Sequence, residues 1–412
     1  MALAERIVAA TSGRDRVLDA VKAVALLLVV VGHSLAWHVR PDGSAVNVLE
    51  EAPALIPLTW IFQVLPLFFA AGAVSNARSL ARHGRRDYLR ARGQRLLAPV
   101  AVYAGLWTLL LLPFHGSEQV EGAGRFLSQL LWFAGVYLLV AAAAVITSRW
   151  LGRPTLSLGL WLAAIVAVDA LRTTDLAAWG WLNMLLVWGW LHQCGYYLGR
   201  LRGRSWLLPG GVALVALSVL VAFTGPYSHS LISVAGVPGL SNLAPPTVVL
   251  AIYGAGQILL LAGLWDVLAK VLHNDRVWVP LALVGARGMG MYLWHIPLVG
   301  LAAGIAIATG WSEPALSAAW WLVHILVVLL VVPLAWLVAG VASRPEAWLT
   351  RWEWRLTAPA VGCTLGGLIV LNVSATGFAT LAGPGAIGLP SSAVENLALV
   401  LIAFGLVNAG RS

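Results

Sequence analysis

The chain has 412 residues, 60% of them hydrophobic and only 10% charged, with 26 Lys and Arg against 17 Asp and Glu. An ordinary soluble domain carries about 25% charged residues, so this composition excludes a soluble globular protein and points to a polytopic membrane protein. The net charge of +9 is no nucleic-acid footprint, because its Arg residues gather in alternate short connections, as the positive-inside rule requires of cytoplasmic loops.

Apolar runs predict spans at 17–38, 55–76, 97–115, 126–147, 154–171, 180–199, 206–224, 247–269, 286–308, 317–341, 359–381 and 390–408. The first is expected to be a retained signal anchor, since no A-x-A site follows it. Segment 277–285 reads as a short interfacial or re-entrant piece before the ninth span. The longest outer connection, 225–246, is rich in Pro, Gly and Ser and is placed to lie over the outer mouth. Many of the 21 Trp fall near span ends, as in an interfacial aromatic belt, and Trp352-Glu353-Trp354 reads as one such anchor. Cys194 and Cys363 lie in separate apolar segments with neither disulfide-framework nor metal-ligand spacing.

Charge sets the expected orientation. With the N-terminus cytoplasmic, inner connections hold Arg6, Arg14, Arg16, seven Arg between Arg78 and Arg95, Arg149, Arg153, Arg200, Arg202, Arg204, Lys270, Arg276, Arg344, Arg351, Arg355 and Arg411. Outer connections hold Arg40, Arg125 and Arg172, and there the acidic residues collect: Asp42, Glu50, Glu51, Glu118, Glu121, Asp175 and Glu313.

Three constellations could carry chemistry. Asp19, Lys22 and His33 fall on one stripe of the first span. Eleven residues at 100° each bring His33 to within ~20° of Lys22 and about 16 Å along the axis. Ionisable groups at membrane depth cost about 2.5–3.5 kcal/mol each on insertion scales, which favours a functional reading. A neutral imidazole there can take a proton from a hydroxyl near neutral pH. The second constellation is Pro66-Leu67-Phe68-Phe69-Ala70-Ala71-Gly72, followed by the Arg-rich stretch that ends in Arg92 and Arg95. Seven Arg and no Lys exceed what topology needs, and guanidinium forks bind phosphate bidentately. The third is the glycine-interrupted run Gly285 to Pro297, carrying Arg287 at its start and Tyr292 and His295 three residues apart. His192 and His324 read as histidines that only hydrogen-bond between helices.

Together these constellations resemble the acyltransferase-3 family of integral membrane acyltransferases over roughly residues 14–355. The opening helix LDAVKAVALLLVVVGH, the PLFFAAGA of the second span, the basic YLRARGQRLLAP and the late MYLWHIP carry the likeness. The resemblance implies a ten-helix bundle that takes an acyl group from cytosolic acyl-CoA to a hydroxyl, usually on a sugar or other glycoconjugate. It implies His33 as catalytic base, and Arg92 and Arg95 as the basic pair after the second span. Lys22 stands where the family usually has Arg, which keeps the charge but loses the bidentate fork.

The expected fold is all-α: a polytopic membrane helical bundle with a ten-helix acyltransferase-like core, residues 1–356, and one or two extra C-terminal transmembrane helices, 357–412. The expected function is O-acylation, with Asp19, Lys22 and His33 catalytic. Arg92, Arg95 and Arg287 would take acyl-CoA, acetyl-CoA foremost, and Tyr292 and His295 would form a secondary substrate contact. Acyl-CoA is a co-substrate; no permanent cofactor, metal or nucleic acid is expected, and the partners are the hydroxyl acceptor and membrane lipid. Gly-x-Ser-x-Gly is absent, so no Ser nucleophile is expected. The competing reading is a transporter or flippase for an amphipathic or glycosylated substrate, for which paired intramembrane carboxylates or matching broken helices would be the mark.

Overall fold

The computed structural model describes residues 3–352, 358–381, 389 and 391–408. Glu353, Trp354, Arg355 and Arg411, assigned above to an interfacial anchor or an inner connection, lie outside the described residues. Eight helical runs are long and apolar enough to cross a membrane among those described. The count is nine if Val248–Gly263 and Trp265–His273, bent by 58°, form one broken span. In hydrocarbon every backbone N–H and C=O needs an internal partner, and helices supply it within one segment. The protein is an all-α polytopic membrane protein.

The first span, Arg16–Leu35, starts at Asp15, whose carboxylate accepts from the Leu18 N–H at 3.3 Å as an N-cap. It stops short of the expected residue 38, because Trp37–Val39 pairs as a strand with Ala45–Asn47. The turn between them is closed by Asp42, which accepts from the Ser44 N–H at 2.8 Å.

The largest departure from the sequence reading is the basic stretch. The spans expected at 55–76 and 97–115 leave most of it as a connection, with Arg92 and Arg95 on one helix face at the entrance to the third; in the structure Leu65–Leu111 is helical throughout apart from a break at Gly84. Ala, Arg and Leu dominate this stretch and are strong helix formers. Gly84 takes φ 73°, a conformation open to glycine and strained for other residues, and there the direction changes. The sixth expected span, 180–199, also differs. It consists of a 3-10 segment Ala177–Leu182, a 13-residue helix Asn183–Gly195 and a single turn Leu198–Leu201. Thirteen residues rise only about 20 Å, short of a ~30 Å hydrocarbon core. Gly195 ends the helix directly against the Ala70 backbone, where no side chain would fit. Segment 277–285 lies inside a 12-residue helix, Asp275–Ala286, capped by Asn274.

The residues group into two compact units. Unit 1 holds Met1–Ser75, Thr147–Gly288 and Leu301–Val332. In it Asp275–Ala286 packs along Arg16–Leu35, with Trp278 buried and its indole N–H donating to Thr11 Oγ1 at 3.0 Å. Leu207–Thr224 and Val248–Gly263 pack through Gly211 and Gly256, small residues that let helices approach closely in a membrane. Phe69 stacks on Trp188 with ring centroids 4.8 Å apart.

Unit 2 holds Asn76–Ile146, Met289–Gly300 and Pro333–Ser412. Pro359–Thr376 packs on Ala393–Val407, and Asn372 donates to Asn396 Oδ1 at 2.9 Å between them. Gly135 and Gly367 bring Leu131–Thr147 against Pro359–Thr376. The Tyr88 hydroxyl donates to the Ala141 carbonyl at 2.8 Å. Phe378, 1% exposed, sits edge-on to Tyr103 at 5.8 Å.

Candidate active site

Helix Arg16–Leu35 is unbroken, so the stripe read from sequence exists as a continuous line. At its N-terminal end Asp19 accepts from Arg14 Nε at 2.7 Å and from Lys22 Nζ at 2.9 Å, with the carboxylate 14% exposed. Lys22 also reaches Ser75 Oγ at 3.4 Å, and that hydroxyl in turn donates to the Ala71 carbonyl at 3.1 Å. One carboxylate between two cations leaves the group with a net positive charge, anchored to two segments of unit 1. Eleven residues along, His33 is half-buried and its ring engages the Val29 carbonyl one turn back. A ring N–H donated to a carbonyl makes the other nitrogen the basic one. Gly32 beside it is closely packed: a Cβ there would stand 3.2 Å from the Phe62 ring, tighter than an ordinary contact. The structure therefore brings Asp19 and Lys22 into contact and holds His33 on their face about 16 Å away.

Arg287 also belongs to unit 1. It forms the junction between Asp275–Ala286 and Gly288–Thr309 and is half-buried.

In unit 2 the basic helix presents its arginines unevenly. Arg78, Arg82, Arg85, Arg86 and Arg95 are exposed, whereas Arg92 is half-buried with its guanidinium 5.8 Å from the Tyr88 ring. The face between them is packed: Leu89 accepts from Cys363 Sγ at 3.3 Å, and Gly93 meets Cys363 and Val407. Tyr292 and His295 are both buried, their rings 6.0 Å apart. Tyr292 donates its hydroxyl to the Leu130 carbonyl at 2.7 Å, and His295 Nδ1 lies 3.2 Å from the Met291 carbonyl.

One buried ion pair is not evident from the sequence. Asp169 and Arg172, at the end of Pro154–Leu171, form a buried pair at 3.7 Å with side chains 2% and 7% exposed. Asp169 also accepts from the Val248 N–H at 2.7 Å, Asn183 Nδ2 at 2.9 Å and the Tyr227 hydroxyl at 3.3 Å. Burial and the neighbouring carboxylate push the Tyr227 phenol up to about 12, so it stays protonated as the donor. Arg172 donates to the Ser241 and Pro245 carbonyls at 3.1 and 3.2 Å. The sequence places Arg172 in an outer connection; the signal for its pairing is a carboxylate three residues earlier in an apolar run. His324 places both ring nitrogens against carbonyls, Nδ1 2.8 Å from Trp320 and Nε2 3.0 Å from Trp37, and stacks on the Trp320 ring at 3.8 Å.

Comparison with protein families finds the acyltransferase-3 model, described as an acyltransferase domain, matching residues 15–340. No curated protein and no solved structure matches the chain.

Proposed function

As the chain belongs to the acyltransferase-3 family of membrane acyltransferases, we propose that it moves an acyl group, acetyl foremost, from cytosolic acyl-CoA to a hydroxyl of a carbohydrate or other glycoconjugate or natural product. The observation that carries this reading is the unbroken helix Arg16–Leu35, with an anchored cationic cluster at one end and a histidine on the same face near the other. The N-terminus is cytoplasmic in this reading, in the plasma membrane, with the charge bias of the connections as its support.

His33 is the general base. It removes the acceptor hydroxyl proton as that oxygen attacks the thioester carbonyl. The tetrahedral oxyanion is held by cationic or amide donors, and its collapse forms the ester and expels the CoA thiolate, which takes up the proton. Asp19 is a positioning residue that fixes the Lys22 ammonium by the 2.9 Å contact, and Lys22 serves the acyl donor. Arg92, Arg95 and Arg287 are the proposed donors to the phosphates of CoA. Tyr292 and His295 are a secondary substrate contact.

The test is turnover by the purified full-length protein in lipid nanodiscs. Radiolabelled acetyl-CoA is expected to be bound and slowly hydrolysed without acceptor, and transfer is expected once a hydroxyl acceptor is supplied. No binding and no consumption of acetyl-CoA or of longer acyl-CoA thioesters would overturn the proposal.

A further inference from the structure

We propose that the segment 225–246 of unit 1 forms a binding pocket for a neutral carbohydrate, which serves as the acyl acceptor. The proposal deepens the acyltransferase reading above and rests on it.

This segment is a pre-formed structure. Its neck is closed by the Ser228 N–H donating to the Leu240 carbonyl at 2.9 Å and the Leu240 N–H to the Pro226 carbonyl at 2.8 Å. Asn242 bridges the inside, donating to the Ser228 and Ser230 carbonyls at 2.6 and 2.9 Å and accepting from Thr247 Oγ1 at 2.6 Å. The buried Asp169–Arg172 pair bolts the same neck through Tyr227, Ser241 and Pro245. On its other side Ile232 and Val234 pack on the cluster of Val48, Leu49 and Trp320. A loop held at so many points gives up little conformational entropy when it binds.

Within it lies a cavity of about 340 Å³, inside the range of small-molecule sites. Ser228, Ser233 and Ser241 line it together with Ile232, Val234 and Val237, and every lining residue is uncharged. The hydroxyl protons can be followed. Ser241 Oγ accepts from the Leu243 and Ala244 N–H groups at 3.3 and 3.2 Å. Its own proton is thus directed to Ser233 Oγ, 2.7 Å away, and the Ser233 hydroxyl keeps a proton to donate to a ligand. Aliphatic walls with a few hydroxyl groups fit the C–H faces and hydroxyls of a sugar ring. A phosphate, carboxylate or ammonium would give up part of its hydration here and find no counter-charge among the lining residues.

The segment is also tied to the His33 end of the first span. The Leu231 carbonyl accepts from Gln63 Nε2 at 2.9 Å, and the Leu231 N–H donates to Thr59 Oγ1 at 3.1 Å. Between those two residues Phe62 packs against Gly32, the neighbour of His33.

The experiment is saturation-transfer NMR on the full-length protein in nanodiscs. The probes are methyl glucopyranoside, methyl galactopyranoside and methyl N-acetylglucosaminide, with glucosamine and glucuronate as charged counterparts. At least one neutral glycoside is expected to bind, and the charged pair is expected to bind more weakly. Ala235→Trp, which fills the cavity from an exposed lining position, is expected to abolish the signal. Ser233→Ala is expected to weaken binding about threefold to tenfold, the worth of one hydrogen bond. If Ala235→Trp lowers the unfolding midpoint, Ser233→Ala alone decides. No neutral glycoside bound, or binding unchanged in the variants, overturns the pocket. Acetyl-CoA consumption is measured on the same samples: its presence without glycoside binding sinks this proposal alone, and glycoside binding without it sinks the acyltransferase reading.

Discussion

Lys22 Nζ lies 2.9 Å from Asp19 Oδ1, one turn away on the same helix, and 3.4 Å from Ser75 Oγ on the next span. A lysine held from two sides has a fixed charge to offer and does not merely snorkel to the surface. Lys22→Arg is expected to keep most activity. Lys22→Met is expected to raise the KM for acetyl-CoA about tenfold or more, since a hydrogen bond to a charged group is worth about 1.5–3 kcal/mol. Asp19→Asn is expected to fall between them, because it loosens the ammonium without removing it. Equal acetyl-CoA affinity in Lys22→Met and wild type would reduce Lys22 to a structural cation.

The basic helix separates two roles of charge. Five of its seven arginines are exposed, and removing two leaves enough to hold the orientation. Arg92→Gln with Arg95→Gln is expected to leave cysteine-accessibility labelling of the connections unchanged. Acetyl-CoA binding is expected to weaken with a shallower salt dependence, because charged contacts are lost. Wild-type binding by this double variant would make the segment a topology signal only and turn the search for the donor site to Arg287.

The buried pair of Asp169 and Arg172 predicts an asymmetric pattern of stability. Removing one partner leaves a buried charge uncompensated, so Asp169→Leu or Arg172→Met alone is expected to cost about 3–5 kcal/mol. The two together are expected to cost less than the sum of the single losses, because the double variant leaves no uncompensated charge, although the partners of both side chains lose their hydrogen bonds. Thermal unfolding midpoints in one detergent check this, and additive losses would contradict it.

Much of this fold is written in apolar period and length. Arg16–Leu35, Pro154–Leu171 and Leu207–Thr224 fall within a few residues of the expected spans, because a bilayer asks only for enough consecutive apolar residues. What hydropathy could not reveal depends on tertiary contacts. The helix through Arg78–Arg95 reads as a loop because its charge masks its helix propensity. Asn183–Gly195 is cut short by the Ala70 backbone, a contact between segments more than a hundred residues apart. The Asp19–Lys22 contact was legible from its spacing of three. The Asp169 network was not, since three of its partners, Asn183, Tyr227 and Val248, are remote in sequence.

His38 gives the hairpin Trp37–Val39 with Ala45–Asn47 a pH dependence. It is 5% exposed, and its Nδ1 has no hydrogen-bond partner among the described residues. Burial holds its pKa below the usual 6.5, with Arg40 acting in the same direction and Glu51 against it. The opened hairpin therefore binds a proton at higher pH than the closed one. Stability from this group is complete above about pH 6.5 and is lost as pH falls toward the depressed value. Amide exchange across 37–47, corrected for intrinsic rates, is expected to speed up between pH 7.5 and 5.5 in wild type and to lose that dependence in His38→Gln. Protection that holds or rises in acid would contradict this.

The central claim is that His33 is the base that activates the acceptor hydroxyl. The most direct measurement is single-turnover acetyl transfer from acetyl-CoA by His33→Ala in nanodiscs, with an unfolding midpoint and acetyl-CoA affinity matched to wild type. A general base typically contributes ~10²–10⁴-fold, so transfer is expected to fall by that factor while donor binding holds. Transfer within a few-fold of wild type in such a protein would contradict the account.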